Sequence, residues 1–132
     1  MSGTIQVEIK SLKVGRYMVM NGKACRITKI DVSRPGKHGH AKFRVEGVSL
    51  VDESKHVEVM PGHEKVESPL IDKKGAQVLS VNDNTANVMD SETYETFDLI
   101  IPEELKGKVK SGDNVVYWII LDDKIMMEVK NG

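Results

Sequence analysis

The sequence predicts an all-β chain built as two small barrels. Three observations carry that expectation. Short stretches alternate apolar and polar residues, as Ile5, Val7 and Ile9 do within Thr4–Ile9. Turn-forming pairs such as Asn21-Gly22 punctuate them, and such a pair favours a tight hairpin. The strand pattern also restarts after Glu67-Ser68-Pro69, where proline cannot donate to a ladder.

In the first half, the pattern predicts strands over Thr4–Ile9, Tyr17–Met20, Ala24–Ile30, Ala41–Val45, Val48–Val51 and Val57–Met60. This set, residues 1–68, has the size of an SH3-like barrel. In Ala41–Val45 the apolar residues Ala41, Phe43 and Val45 alternate with Lys42 and Arg44, which puts the basic side chains on the outer face. In the second half, strands are expected over Ala76–Val81, Thr85–Asp90, Tyr94–Ile101, Val115–Leu121 and Ile125–Val129. Pro102-Glu103-Glu104-Leu105-Lys106 reads as a short helix, with proline in its first turn and carboxylates near its positive end. Five strands with a helix between the third and fourth match an OB-fold, placed at residues 69–132. Trp118 is expected to pack in its core.

Composition narrows the function classes. The 132 residues are 39% hydrophobic and 30% charged, too apolar for a disordered chain. Only 5% are aromatic, so aliphatic side chains must build the cores. Cys25 is the single cysteine, which rules out an intrachain disulfide. No apolar run approaches the roughly 20 residues that span a bilayer, and no signal peptide is evident, so no membrane partner and a cytoplasmic location are expected. The net charge of −1 conceals an asymmetry. Residues 1–68 carry 12 Lys and Arg against 8 acids, and residues 69–132 carry 7 Lys against 12 acids. The first half is therefore the half expected to face a polyanion.

The segment 31–42 reads Asp-Val-Ser-Arg-Pro-Gly-Lys-His-Gly-His-Ala-Lys and joins two predicted strands. Pro35 fixes its own φ, and Gly36 and Gly39 let the chain turn. No large apolar residue pulls the tip inward, so Lys37 is expected to project. About 5 residues per arm at ~3.3 Å each would give a reach of roughly 17 Å. A phosphate-cradling loop would need Ser or Thr after Gly-Lys and a helix following; His38 and a strand stand there instead. His38 and His40 lack metal-ligand spacing, so no metal is expected. The residues alone leave three readings open: a modified probe, an unmodified RNA-binding loop, and a nuclease using His38 and His40 as acid and base.

Gly36-Lys37-His38-Gly39-His40-Ala41-Lys42 resembles the hypusine-loop signature of the translation factor 5A family. Gly15-Arg16-Tyr17, Met18-Val19-Met20, Cys25-Arg26 and the order of the two barrels fit as well, so the resemblance covers essentially the whole chain. It implies a non-enzymatic translation factor without a dissociable cofactor. Lys37 would receive a spermidine-derived aminobutyl group from deoxyhypusine synthase, giving deoxyhypusine, and hydroxylation would give hypusine. The partner would be the ribosome, both its RNA and peptidyl-tRNA, and the effect would be relief of stalling at sequences such as proline runs. Ser33, Arg34, Pro35, Gly36, His38, Gly39 and His40 would support the modification. Arg34, Lys37, His38, His40, Lys42 and Arg44 would contact RNA. Arg34-Pro35 replaces the lysine and small hydroxyl residue usual in eukaryotic members and is closer to the archaeal form.

Overall fold

The computed structural model describes residues 3–34 and 41–130. Among the described residues the chain is all-β apart from two single 3-10 turns, and it divides into two compact units between Leu70 and Ile71. The first is an SH3-like barrel and the second an OB-fold.

In the first unit, β1 (Thr4–Glu8) is followed by a 3-10 turn (Ile9–Ser11), then β2 (Tyr17–Met20), β3 (Lys23–Ser33), β4 (Lys42–Ser49), β5 (Lys55–Pro61) and β6 (Lys65–Pro69). β2, β3, β4 and β5 form one antiparallel sheet in that order, and β1 pairs with β6. Asn21 and Gly22 close the β2–β3 hairpin at φ 52° and 76°, the left-handed conformation that such a turn requires. Ile9, Met18, Met20, Cys25, Ile27, Val45 and Met60 form the core.

β3 contains a bulge between Ile27 and Lys29. The extra residue, Thr28, donates its hydroxyl to the Glu46 carbonyl at 3.2 Å. A bulge resets which face each later residue occupies. Ile27 and Ile30, three apart, thus both serve the core, while Lys29, Asp31 and Ser33 turn outward.

Three expectations for the first unit need correction. Ala41–Val45 and Val48–Val51 are not two strands but one, β4, running through Gly47. Gly47 lies over the core: a Cβ there would stand 2.8 Å from Met20 Sδ and 3.2 Å from both Cys25 Cβ and the Arg26 carbonyl oxygen. Glycine here serves close packing rather than a turn. Gly47→Val should therefore destabilise the chain by about 1–3 kcal/mol through overpacking, seen as a lower urea midpoint. Ile9 is not a strand end; it opens the 3-10 turn and is fully buried. Finally, β6 had no counterpart in the expected strands. Pro69 ends this short strand opposite Thr4, at an edge where its missing N–H is tolerated.

In the second unit, β7 (Asp72–Asn82), β8 (Thr85–Asp90), β9 (Thr96–Ile100), β10 (Asn114–Ile120) and β11 (Asp123–Lys130) form a sheet in the order β11-β10-β7-β8-β9. β7 is long and bulged between Val78 and Ser80, which lets one strand serve both halves of the curled sheet. The core holds Ala76, Val78, Ala86, Val88, Leu99, Ile101, Val109, Val115, Tyr117 and Met126. The expected helix is a single 3-10 turn, Glu103–Leu105, between β9 and β10; Gly107 follows at φ 78°. Trp118 does not pack in this core. Its neighbour Tyr117 does, so strand alternation sends Trp118 to the other face, where it is half-buried.

Candidate functional site

The long ribbon β3–β4 carries the segment singled out in the sequence. Its last paired residues are Ser33 and Lys42. Pro35, Gly36, Lys37, His38, Gly39 and His40 lie outside the described residues. The ribbon runs beyond the core before it reaches them. Val45 is fully buried and Ile30 half-buried, yet Val32 is 45% exposed and the residues from Asp31 to Arg34 are all exposed. Here β3 is held by its pairing with β4, whose Phe43 still packs against the core and pairs with Met60 of β5.

One flank of the ribbon is buttressed. The turn after β5 brings Gly62 N–H to the Ala41 carbonyl at 3.2 Å, while the Gly62 carbonyl accepts from Lys10 N–H at 3.2 Å. The Phe43 ring covers Gly62 so closely that a Cβ there would stand 2.8 Å from its Cε1. The segment's C-terminal arm is thereby tied to the first unit through backbone bonds and one ring.

Strand pairing changes the electrostatics read from the linear sequence. Arg44 Nη1 lies 2.5 Å from Glu46 Oε2, and the Glu46 side chain is only 16% exposed. Lys29 pairs with Asp31 at 3.6 Å. Lys23 binds Asp52, at the far end of the sheet. Arg34 and Lys42 are exposed, and neither makes an ion pair among the described residues. Of the basic residues expected to meet RNA, these two flank the ribbon's end, whereas Arg44 is already engaged. Glu46 stands two residues from Arg44 on the same face of β4, whereas Asp52 is brought to Lys23 by the turn after β4.

Other chemistry finds little support here. Cys25 is fully buried, and burial raises its thiol pKa, so it stays protonated and shielded. No group of three or more potential metal ligands occurs among the described residues. A histidine network that the sequence did not signal sits at the opposite end of the sheet. Ser54 Oγ is 2.8 Å from His56 Nε2, and Asn21 Nδ2 is 2.8 Å from His56 Nδ1. Ser54 donates to Asp52 at 2.6 Å. The Lys23 ammonium, then Ser54, hold the Asp52 carboxyl well below the usual carboxylate range. The Ser54 proton therefore goes to an ionised carboxylate and not to His56, which is not the arrangement of an activated nucleophile.

Comparison with known proteins matches this architecture. Residues 2–64 fit the family described as translation initiation factor 5A-like, N-terminal. The chain is 47% identical to translation initiation factor 5A of Methanobrevibacter smithii, covering 94% of this chain and 96% of that one. It is 42% identical to the Pyrococcus furiosus protein of the same name, over 98% and 97% of the two chains. A solved structure, eukaryotic translation initiation factor 5A from Methanococcus jannaschii, superposes with a TM-score of 0.89 at 41% identity, covering 97% of this chain and 96% of that one. With identity and fold shared over nearly the full length of each relative, the chain belongs to the translation initiation factor 5A family.

Proposed function

We propose that this translation factor binds the ribosome and presents a modified Lys37 to peptidyl-tRNA, promoting peptide-bond formation where synthesis stalls, as at proline runs. The observation that supports this reading is that β3 and β4 pair as far as Ser33 and Lys42, the ends between which Gly36-Lys37-His38-Gly39 falls in the sequence, with Arg34 and Lys42 exposed there. Such a ribbon suits a probe and does not enclose a substrate. An aminobutyl group added to Lys37 lengthens its stem and supplies a second cationic nitrogen for phosphates or sugar hydroxyls. Deoxyhypusine synthase is the modifying enzyme in this reading and spermidine the donor. Arg34 and Lys42 position phosphates without reading sequence. His38 and His40 stack on or hydrogen-bond to RNA, and Ser33, Pro35, Gly36 and Gly39 shape the segment for enzyme and ribosome alike. Residues 1–68 act as the probe-bearing domain, 69–132 as the domain that sets its position, and the setting is the cytoplasm.

Intact mass of the protein from its native host, with fragmentation to locate any shift, tests the reading. The expected result is an aminobutyl group on Lys37. An unmodified Lys37 in actively translating cells would overturn it.

A further inference from the structure

The second unit carries a groove that the Lys37 reading does not use. It is a cleft of about 530 Å³, within the ~300–1,000 Å³ range of ligand clefts. Trp118, Gly75, Lys73, Lys74, Lys130 and Glu128 are among its lining residues. The register explains the grouping. Trp118 pairs with Lys73 across β10–β7, Val116 with Gly75, and Asn114 with Lys130 across β10–β11. Lys73 Nζ lies 5.1 Å from the centre of the Trp118 ring.

The charge of this groove opposes that of its surroundings. Residues 69–132 hold 12 acids and 7 lysines. Two of those lysines, Lys73 and Lys130, share the face of Trp118 against one acid, Glu128, while Lys74, opposite Tyr117, lines the cleft from the other face. An aromatic face beside lysines on an extended sheet is the chemistry that holds single strands: a base stacks on the ring and phosphates meet the cations. Gly75 leaves the floor open, since a Cβ there would meet only Ser91, at 3.6 Å from its Oγ. The face of an OB-fold that commonly binds strands, here β8–β9, carries Asn87 hydrogen-bonded to Asp98 at 3.0 Å and so presents a carboxylate.

We infer that the Trp118 groove is a single-stranded RNA site, displaced from the β8–β9 face to the outer face of β7, β10 and β11. A base displaces Lys73 from the Trp118 ring, and Lys73 and Lys130 hold the flanking phosphates. The site is independent of Lys37, so the unmodified full chain suffices to test it.

Trp118 is the only tryptophan, so its emission reports stacking directly. Short ribo-oligonucleotides would be titrated into the full chain, with emission and the anisotropy of a labelled strand read together. Saturable quenching is expected. The double change Lys73→Ala, Lys130→Ala should weaken it at least about tenfold and lower the salt slope by about 1 to 2. Gly75→Val should weaken it by filling the floor, whereas Lys13→Ala with Lys55→Ala, two exposed lysines of the first unit, should leave the quenching unchanged. Three results would each overturn the inference: strand binding with no change in Trp118 emission, lysine variants that bind like the parent, or a mononucleotide that quenches with the affinity of the strand. None of them bears on the modification of Lys37, so this site and the Lys37 reading fail separately.

Discussion

A Lys37→Arg chain should fold like the parent and yet fail as a translation factor. Arginine keeps the charge, so any role resting on a cation alone would survive. What it removes is a primary amine that spermidine-derived chemistry can extend, because a delocalised guanidinium is not alkylated in its place. Co-expressed with deoxyhypusine synthase, the parent should gain mass on Lys37 and the variant should gain none. In reconstituted synthesis through a proline run, the variant should fall to the rate seen without factor. Hydrogen bonds from charged groups are worth about 1.5–3 kcal/mol each. Losing even one formed by the added amine would therefore reduce the effect at least about tenfold. The urea midpoint should stay within about 0.5 kcal/mol of the parent, as for most surface substitutions. Full proline-run activity in the arginine variant would reduce the segment to an ordinary basic contact with RNA.

Period-two alternation made most of the fold legible. β2 and β8 match their expected ends, since short turns bound them sharply. The misses share a cause. Local pattern reads Ala41–Val45 and Val48–Val51 as two strands and does not show β6 at all, while what shapes them is long-range: Gly47 packs beneath Met20 and β6 pairs with β1 from far along the chain. Trp118 was misassigned because an unbroken apolar run, Val115–Leu121, hides which side faces inward. Only the pairing of β10 with β7 and β11 decides it. The candidate site was legible as a motif, because Gly-Lys-His-Gly is local. Its electrostatics were not, because Arg44–Glu46 and Lys23–Asp52 are set by side-chain geometry and a turn.

Replacing Asp90 should cost the second unit several kcal/mol near neutrality and flatten the dependence of its stability on pH below about 5. Asp90 is 4% exposed, so its charge must be met inside the protein. Its Oδ1 accepts from Glu92 N–H at 2.7 Å and Thr93 N–H at 2.8 Å, holding the turn between β8 and β9. Its Oδ2 accepts from the Tyr117 hydroxyl, which ties that turn to the core side of β10. The Tyr117 hydrogen bond first, with the turn N–H groups and against the opposing effect of burial, brings the Asp90 pKa down to about 2. An unfolded aspartate titrates near ~3.9, so the shift favours the folded state by roughly 2 kcal/mol above that pH. The stability is complete above about pH 5 and drains away as pH falls through about 2. Tyr117 behaves in the opposite sense. Burial, then the Asp90 contact, raises its pKa, so its contribution is present below ~10 and is lost as pH rises beyond that. Asp90→Ala would leave the Tyr117 hydroxyl and two turn N–H groups without this acceptor, at a cost of about 3–5 kcal/mol near neutrality. Tyr117→Phe removes one donor and should cost about 1–3 kcal/mol. Urea unfolding followed through Trp118, which lies beside Tyr117 on β10, reads this unit directly. The gap between parent and Asp90→Ala should be widest at pH 6–8 and narrow by roughly 2 kcal/mol between pH 5 and pH 2. A gap that stays constant over that range would mean the carboxylate acts only as a packed, neutral hydrogen-bond acceptor.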